Sequence, residues 1–462
     1  MEPKLIHGDR GGHILAINGH RYHRHRATGE AIHWRCWRKT CRARVRTNIF
    51  NPEDPAIHII FWEDHGHGPV DHMIERATFR EKMRSSIDDQ PTTPVRRVYD
   101  AAVSSVSRQG GGDRPPHIDA FSSFRTILKR ARSKRMPEIP RGVEEVEIQG
   151  PWAETWQQEE YLLHKDNDWE IAIFATKENL RALSQCRKIY MDGTFKSCPG
   201  PYSQIFTILG QYRGWVIPLV TCMMGHRQVG YYRAVLKAIA LHVPQKVVCD
   251  FEMALITALQ SELPQVSIQG CYFHFTQSLW RRVQELGLVR AYRENLRLRK
   301  CIRKLMALGY LPRPLVRLNF NSLRRSQRTI RLIDSYPSLL DFFGYVQNTY
   351  IGGFFPVPLW NVFDREMDTR TNNHVESYHK TLNDTIGVRH PSLWTFIRCL
   401  KDRQTVVEQT IDGAERGELA PARRRKWRVL EERLRRLKQQ YVEGERDLKS
   451  YWKAASDCIG FD

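Results

Sequence analysis

No apolar run in this chain reaches the ~18 residues of a membrane-spanning helix, so no such helix is expected. The first residues, MEPKLIHGDR, lack the pattern of a secretory signal. Cysteine is sparse: ten residues, of which only Cys36 and Cys41 form a close pair. A disulfide framework is therefore not expected in so long a chain, and a reducing compartment is. Acidic residues are too few to balance the basic ones, 51 against 72, leaving a formal charge of +21. Such an excess points to a polyanionic partner, nucleic acid first, because Lys and Arg contacts to phosphate dominate that affinity. No internal repeat is present. The 462 residues leave room for about three domains.

What is present centres on residues 187–225, RKIYMDGTFKSCPGPYSQIFTILGQYRGWVIPLVTCMMG. Apolar, β-rich runs at 189–191, 203–212 and 215–224 are separated by turn chemistry at Cys198-Pro-Gly-Pro and Arg213-Gly214. This predicts a three-stranded antiparallel meander. Asp192 falls at the end of its first strand. A buried acid there needs a cation, either a basic side chain or a metal ion; the alternative is a turn cap shared with Gly193. Downstream, 229–243 has the apolar stripe of a helix, and 246–249 reads as a buried strand ending in Asp250. A helix is expected at 252–263 and a strand at 266–272. The order βββαβαβ, with acids ending the first and fourth strands, is that of an RNase H-like core in which two acids on neighbouring strands share divalent ions. A third carboxylate would come from a helix packed beside the sheet. Glu376 in 370–382 is the candidate, with Asn372 or Asn373 as cap. Asp364, Glu366 and Asp368 compete with it, and a solvent-facing Glu376 is the alternative.

Four motifs in this stretch, DGTFKS at 192–197, CDFE at 249–252, GCYFHF at 270–275 and NNHVESYH at 372–379, resemble the catalytic domain of Mutator-like (MULE) transposases. The resemblance covers most of 140–400. It implies that Asp192, Asp250 and Glu376 form a DDE triad binding Mg²⁺ (or Mn²⁺). It also implies that Cys271 and His274 are the C-x-x-H pair that follows the second acid, read here as structural or auxiliary. Cut-and-paste transposition, double-stranded DNA partners (terminal inverted repeats and target), a homodimer and a nuclear location are further implications.

Upstream, Cys36-x4-Cys41 is followed by His65-x-His67. Two thiolates and two imidazoles complete a tetrahedral zinc site; the alternative is two core cysteines with solvated histidines. Tyr22, Trp34 and these four residues resemble a FLYWCH zinc finger, although Ile14 or Ile17 stands where a leading Phe is expected. Arg42, Arg44 and Arg46 alternate, which would align them on one strand face against DNA or leave them on a solvated edge. The run 121–135 puts Arg125, Lys129, Arg130 and Arg132 on one short helix, for DNA or for solvent. In the tail, Trp427, Leu430, Leu434, Leu437 and Tyr441 have seam-like spacing. Over only about two heptads, packing back onto the protein is expected rather than a free zipper. The other face carries Arg424, Arg425 and Arg435, a phosphate rail.

The expected organisation is α/β: a β-rich zinc finger at 5–70 and a helical basic connector at 73–140. An RNase H-like core follows at 146–400, with a helical insertion at about 276–368, and then a basic amphipathic helix at 421–455. The function expected is that of a DDE transposase. A transposase-derived, non-catalytic DNA-binding regulator is the alternative, and a structure-selective nuclease on the same fold a third reading.

Overall fold

The computed structural model describes residues 3–7, 12–49, 56–109, 118–240, 244–366, 373–422 and 424–460. Asp368, Asn372, Arg423, the glycine-rich break at 110–116 and the expected helix end at 241–243 lie outside them. The chain divides into two compact units, Met1–Ile139 and Pro140–Asp462.

The first unit opens with an antiparallel six-stranded sheet in sequential order: β1 (Lys4–His7), β2 (His13–Ile17), β3 (His20–Ala27), β4 (Ala31–Cys36), β5 (Arg44–Asn48) and β6 (Ile59–Trp62). Asn18-Gly19 joins β2 to β3 with φ of 48° and 73°, the left-handed pair that a two-residue hairpin turn requires. Leu15, Tyr22, Ile32, Trp34 and Val45 fill one face of this half-barrel. Three helices follow, α1 (Asp71–Asp89), α2 (Val95–Gln109) and α3 (Phe121–Ser133). They close on Phe79, Met83, Ile87, Val98, Phe124 and Leu128, and α1 also sets Ile74 and Ala77 against Ile6 and Ile14 of the sheet.

The second unit is built on a seven-stranded sheet. Its strands are β7 (Leu162–Asp166), β8 (Ile171–Phe174), β9 (Lys188–Thr194), β10 (Gln204–Tyr212), β11 (Trp215–Met224), β12 (Lys246–Cys249) and β13 (Ser267–Gly270), in spatial order β13-β12-β9-β10-β11-β8-β7. The meander β9–β10–β11 is antiparallel, whereas β12 runs parallel to both β9 and β13. Helix α4 (Lys177–Ser184) starts at Thr176, whose hydroxyl accepts from Asn179 N–H at 3.1 Å. Helices α5 (Val229–Ala238) and α6 (Met253–Glu262) flank β12 in sequence. The expected strand at 266–272 is shorter, because the chain turns at Cys271 into α7 (Tyr272–Glu285).

After α7 the chain stays helical through α8 (Val289–Glu294), α9 (Leu296–Met306), α10 (Arg313–Arg325), α11 (Gln327–Ser335), α12 (Ser338–Val346) and α13 (Val357–Trp360). These helices own a separate core in which Phe275 stacks on Trp360, centroids 4.7 Å apart. Then come α14 (Asn373–Ile386), α15 (Leu393–Glu415), α16 (Arg425–Val442) and α17 (Leu448–Asp457). Leu434 and Leu437 of α16 and Tyr451 and Trp452 of α17 are buried in that helical core. The α16 stripe thus packs onto the protein. The Tyr451 hydroxyl donates to Tyr310 O at 2.8 Å, and Trp452 Nε1–H donates to Lys304 O at 3.0 Å.

Candidate metal centre and carboxylate cluster

The β4–β5 turn folds back through Cys36 N–H to Ala43 O (3.1 Å) and Cys41 N–H to Arg38 O (3.0 Å). That brings the two thiols together, and the loop after β6 adds His65 and His67. The donor atoms of Cys36, Cys41, His65 and His67 all lie within 4.8 Å of one another. Cys36 Sγ is 3.2 Å from His67 Nε2, Cys41 Sγ is 3.5 Å from His65 Nδ1, and the two ring nitrogens are 3.2 Å apart. Tetrahedral edges built from Zn–S of about 2.3 Å and Zn–N of about 2.0 Å are roughly 3.3–3.8 Å, so the separations fit zinc.

The outer hydrogen bonds support the same reading. His67 Nδ1 lies 2.8 Å from Gly68 O, so it carries the proton and leaves Nε2 with a lone pair. His65 Nε2 meets the Tyr22 hydroxyl at 2.6 Å, and Trp62 Nε1–H donates to that hydroxyl at 2.9 Å. With the proton on His65 Nε2, its Nδ1 lone pair faces that of His67, an arrangement that a shared cation resolves. Burial, then His20 and His67, hold the His65 imidazole down at about 4. The ring is thus neutral, as a ligand must be.

In the second unit, Asp192 is not at the tip of its strand. β9 continues to Thr194, and Asp192 stands opposite Thr207 of β10. Asp250 follows β12 directly, and the parallel register Met191–Cys249 sets it beside Asp192. Glu376 lies in the first turn of α14. The structure brings these three acids to one region, but a fourth group stands among them. His274 of α7 has Nδ1 3.3 Å from Asp250 Oδ1 and Nε2 3.1 Å from Glu376 Oε1. Burial alone would lower this imidazole; hydrogen bonds to Cys271 and Glu376 and the charge of Asp250 outweigh it and lift it to about 11. His274 is therefore a cation cross-linking two carboxylates, with Cys271 as its buried hydrogen-bond partner.

Asp192 is 8 % exposed, and burial, with Asp250 and Glu376 adding to it, raises its carboxyl to about 7. Its Oδ1 accepts from Gly193 N–H at 2.8 Å. Two competitors for the third position, Glu366 and Asp364, go elsewhere. Glu366 pairs with Lys188 and Lys246, register partners at the opposite end of β9 and β12, and Asp364 pairs with Arg313 at 3.6 Å.

Two further polar groups escaped sequence reasoning. His379, three residues after Glu376 and the last residue of the NNHVESYH motif, is buried with Nδ1 3.9 Å from Asp192 Oδ2 and Nε2 3.3 Å from Thr207 Oγ1. Glu252 accepts from the Tyr232 hydroxyl at 2.9 Å, and Gln204 Nε2 donates to that hydroxyl at 2.9 Å. The i, i+3 spacing from Glu376 and the CDFE run were the available signals.

The raised Asp192 carboxyl has a stability consequence. An acid whose folded value lies above its unfolded 3.8 favours the folded state below that pH, and the advantage is lost as pH rises through about 7. His274 loses its contribution only between 6.5 and about 11, while His379, held by burial at about 4, works the other way below 6.5. The difference between Asp192→Asn and wild type isolates the carboxylate. In metal-free denaturation we expect the variant to match wild type near pH 4 and to gain about 4 kcal/mol by pH 8. A pH-independent difference would contradict this.

Fold and site together define a chain with a Cys/His finger ahead of an α/β domain that gathers acidic side chains at one end of its sheet. Residues 5–67 match the family model of the FLYWCH zinc finger domain, and residues 188–278 that of the MULE transposase domain. The two matches, in this order, support a MULE transposase with an N-terminal FLYWCH finger. The finger match contains all four zinc-site residues; the transposase match contains Asp192, Asp250, Cys271 and His274 and stops before Glu376. No curated protein matched the chain. No described helix is long and apolar enough to cross a membrane.

Proposed function

We propose that the protein is a DDE-type DNA transposase. On this reading it binds the terminal inverted repeats of its element and cuts and rejoins DNA through Asp192, Asp250 and Glu376, acting as a homodimer in the nucleus. The observation that carries the reading is Asp192 on β9 beside Asp250 at the end of the adjacent parallel β12, inside the MULE match, with Glu376 of α14 linked to Asp250 through His274. A meander followed by two parallel strands, each reached through a helix, supports assigning the sheet to the RNase H-like class. We further propose four functional segments: the finger at 5–70, the basic connector at 73–140, the core at 146–400 with its insertion at about 276–368, and the basic helix at 421–455.

Drawn together, the three carboxylates would offer an all-oxygen donor set suited to a hard divalent ion. Mg²⁺ (or Mn²⁺) bound there would supply the Lewis-acid charge that phosphoryl transfer requires. The chain's own residues must adjust for this. His274 has to release Asp250 or Glu376 before both face one cation, and Asp192 has to give up its proton. Phe251 N–H, 2.6 Å from Asp250 Oδ1, and Gly193 N–H hold two of the carboxylates in place. The displacement at phosphorus is by water or a DNA 3′-hydroxyl, with no covalent enzyme intermediate.

DNA contact has support in both units. On the finger sheet Arg44 stands opposite Arg35, and Arg46 opposite His33. Arg42, Arg44 and Arg46 are all exposed while Cys41, Ala43 and Val45 are buried. Like charges paired across a sheet destabilise it, a cost that phosphate would offset. β5 lies between β4 and β6, so this row is not a bare edge. Arg125, Lys129 and Arg130 are exposed on α3 and Arg132 half-buried; Arg424, Arg425 and Arg435 are exposed at α16. Neutralising Lys129, Arg130, Arg424 and Arg425 should reduce the slope of log affinity against log salt by roughly one per residue, alike for all sequences. Arg435, paired with Glu432 at 2.5 Å, should change it least. An unchanged slope would mark these as solvated faces.

The Asp250–His274–Glu376 ion pairs favour a second reading, since they give two of the acids a structural role without catalysis. That is a transposase-derived DNA-binding regulator. Incubation with DNA carrying the element ends and Mg²⁺ or Mn²⁺ decides: strand breaks at the ends support the enzyme, and their absence supports the regulator.

A further inference from the structure

Helix α9 reads LRLRKCIRKLM and contains no acid. It packs against both α11 and α17. The three helices together hold nine cations and two acids, Asp334 and Asp457, both near the helix C-terminal ends. Two of the α9 arginines are committed: Arg299 to Arg293 O at 3.1 Å and Arg303 to the Tyr292 hydroxyl at 2.9 Å. Lys300 and Lys304 are four residues apart on one face, as are Lys449 and Lys453 on α17.

Lys304 stands where the helices meet. Its ammonium lies 5.0 Å from the centroid of the Trp452 ring, and its carbonyl accepts the indole N–H. Burial lowers its proton affinity; Cys301 pulls the other way, and Lys449, Arg328 and Lys453 each lower it by a smaller amount. Arg328, Lys449 and Lys453 are exposed. Among the described residues, no carboxylate forms an ion pair within 4 Å of these cations. Asp447, the nearest acid in sequence, caps α17 by accepting from the Ser450 N–H at 2.7 Å, and its charge acts on Lys449 alone of these cations.

A solvated basic face would let its side chains spread apart, but this one holds a lysine ammonium over an indole at the centre of like charges. We propose that Lys300, Lys304, Arg328, Lys449 and Lys453 form a second docking surface, for the phosphate backbone of double-stranded DNA. The cations come from three helices and hold a mutual repulsion that phosphates would relieve. The aromatic of the patch, Trp452, is only 5 % exposed, so it offers no platform for stacking bases, as single-strand sites do. Contact is with the duplex backbone and independent of sequence. The surface is separate from the carboxylate cluster and does not depend on its chemistry.

The test uses the full chain, without divalent metal, on a 30-bp duplex of arbitrary sequence. An enzyme unable to cut DNA would leave its result unchanged. The triple variant Arg328→Ala, Lys449→Ala, Lys453→Ala should flatten the salt slope by about two to three, near 0.9 per lost phosphate contact. The corresponding Gln variant should do the same at an unchanged melting temperature. Arg290→Ala, at an exposed arginine paired with Glu294 on α8, should leave the slope as in wild type. A wild-type slope in both triple variants overturns the proposal, as does an equal loss in Arg290→Ala. Loss of polyglutamate binding with the DNA slope retained would assign the surface to an acidic polypeptide and also overturn it.

Discussion

Glu376→Gln should lower DNA strand cleavage by a factor on the order of 10³ or more, because a charged ligand for the metal would be lost from the phosphoryl-transfer site. Asp192→Asn and Asp250→Asn should do the same, each leaving metal-free DNA affinity near wild type. The residue to watch is Glu376, which the structure ties to Asp250 only through His274 and which lies beyond the MULE match. If Glu376→Gln cleaves normally while Asp368→Asn does not, the third ligand is misassigned. Gel assays on end-labelled element DNA with Mg²⁺ read both outcomes.

Cys36→Ser should unfold the finger. Structural zinc contributes roughly 10–16 kcal/mol in small units of this kind, more than a six-stranded half-barrel with a short apolar core can replace. Proteolysis should then open residues 5–70 while the second unit stays protected, and elemental analysis should fall by one zinc per chain. A chelator applied to wild type should reproduce the pattern. Zinc-free wild-type protein with an intact finger would refute it.

The meander was legible because its turn residues are diagnostic. Arg213 and Gly214 both adopt positive φ, 46° and 89°, as a two-residue hairpin demands. Strand β7, LLHKD, was not: half-buried along its length at the edge of the sheet, it shows neither alternation nor an apolar run. The helix expected over 229–243 gives way after Ala238, where Ala240 takes a φ of 43°; nothing in its apolar spacing announced that turn.

The four zinc-site residues could be read from spacing, since their donors lie within a short stretch and their chemistry is specific. The carboxylates could be read as a set, but their connection could not. His274 and Glu376 are joined across 102 residues of sequence by a helical insertion whose packing no local pattern encodes. His379 was hidden by its own position. A histidine on an apolar helix face reads as core, and this one is buried while still reaching Asp192.

The burial of α17 against Lys304 and Tyr310 also sets an order for biosynthesis. The contacts of Tyr451 and Trp452 close loops of 141 and 148 residues. At roughly 5–20 residues per second, the ribosome needs about 5–20 s after Trp360 has been made to deliver the helices that cover Tyr310 and its neighbours. The sheet hairpins of the first unit, whose partners are close in sequence, can form while that apolar surface still waits. The nascent second unit is therefore the part of this chain most dependent on chaperones, and slowing translation beyond codon 360 should raise its aggregation without affecting the finger.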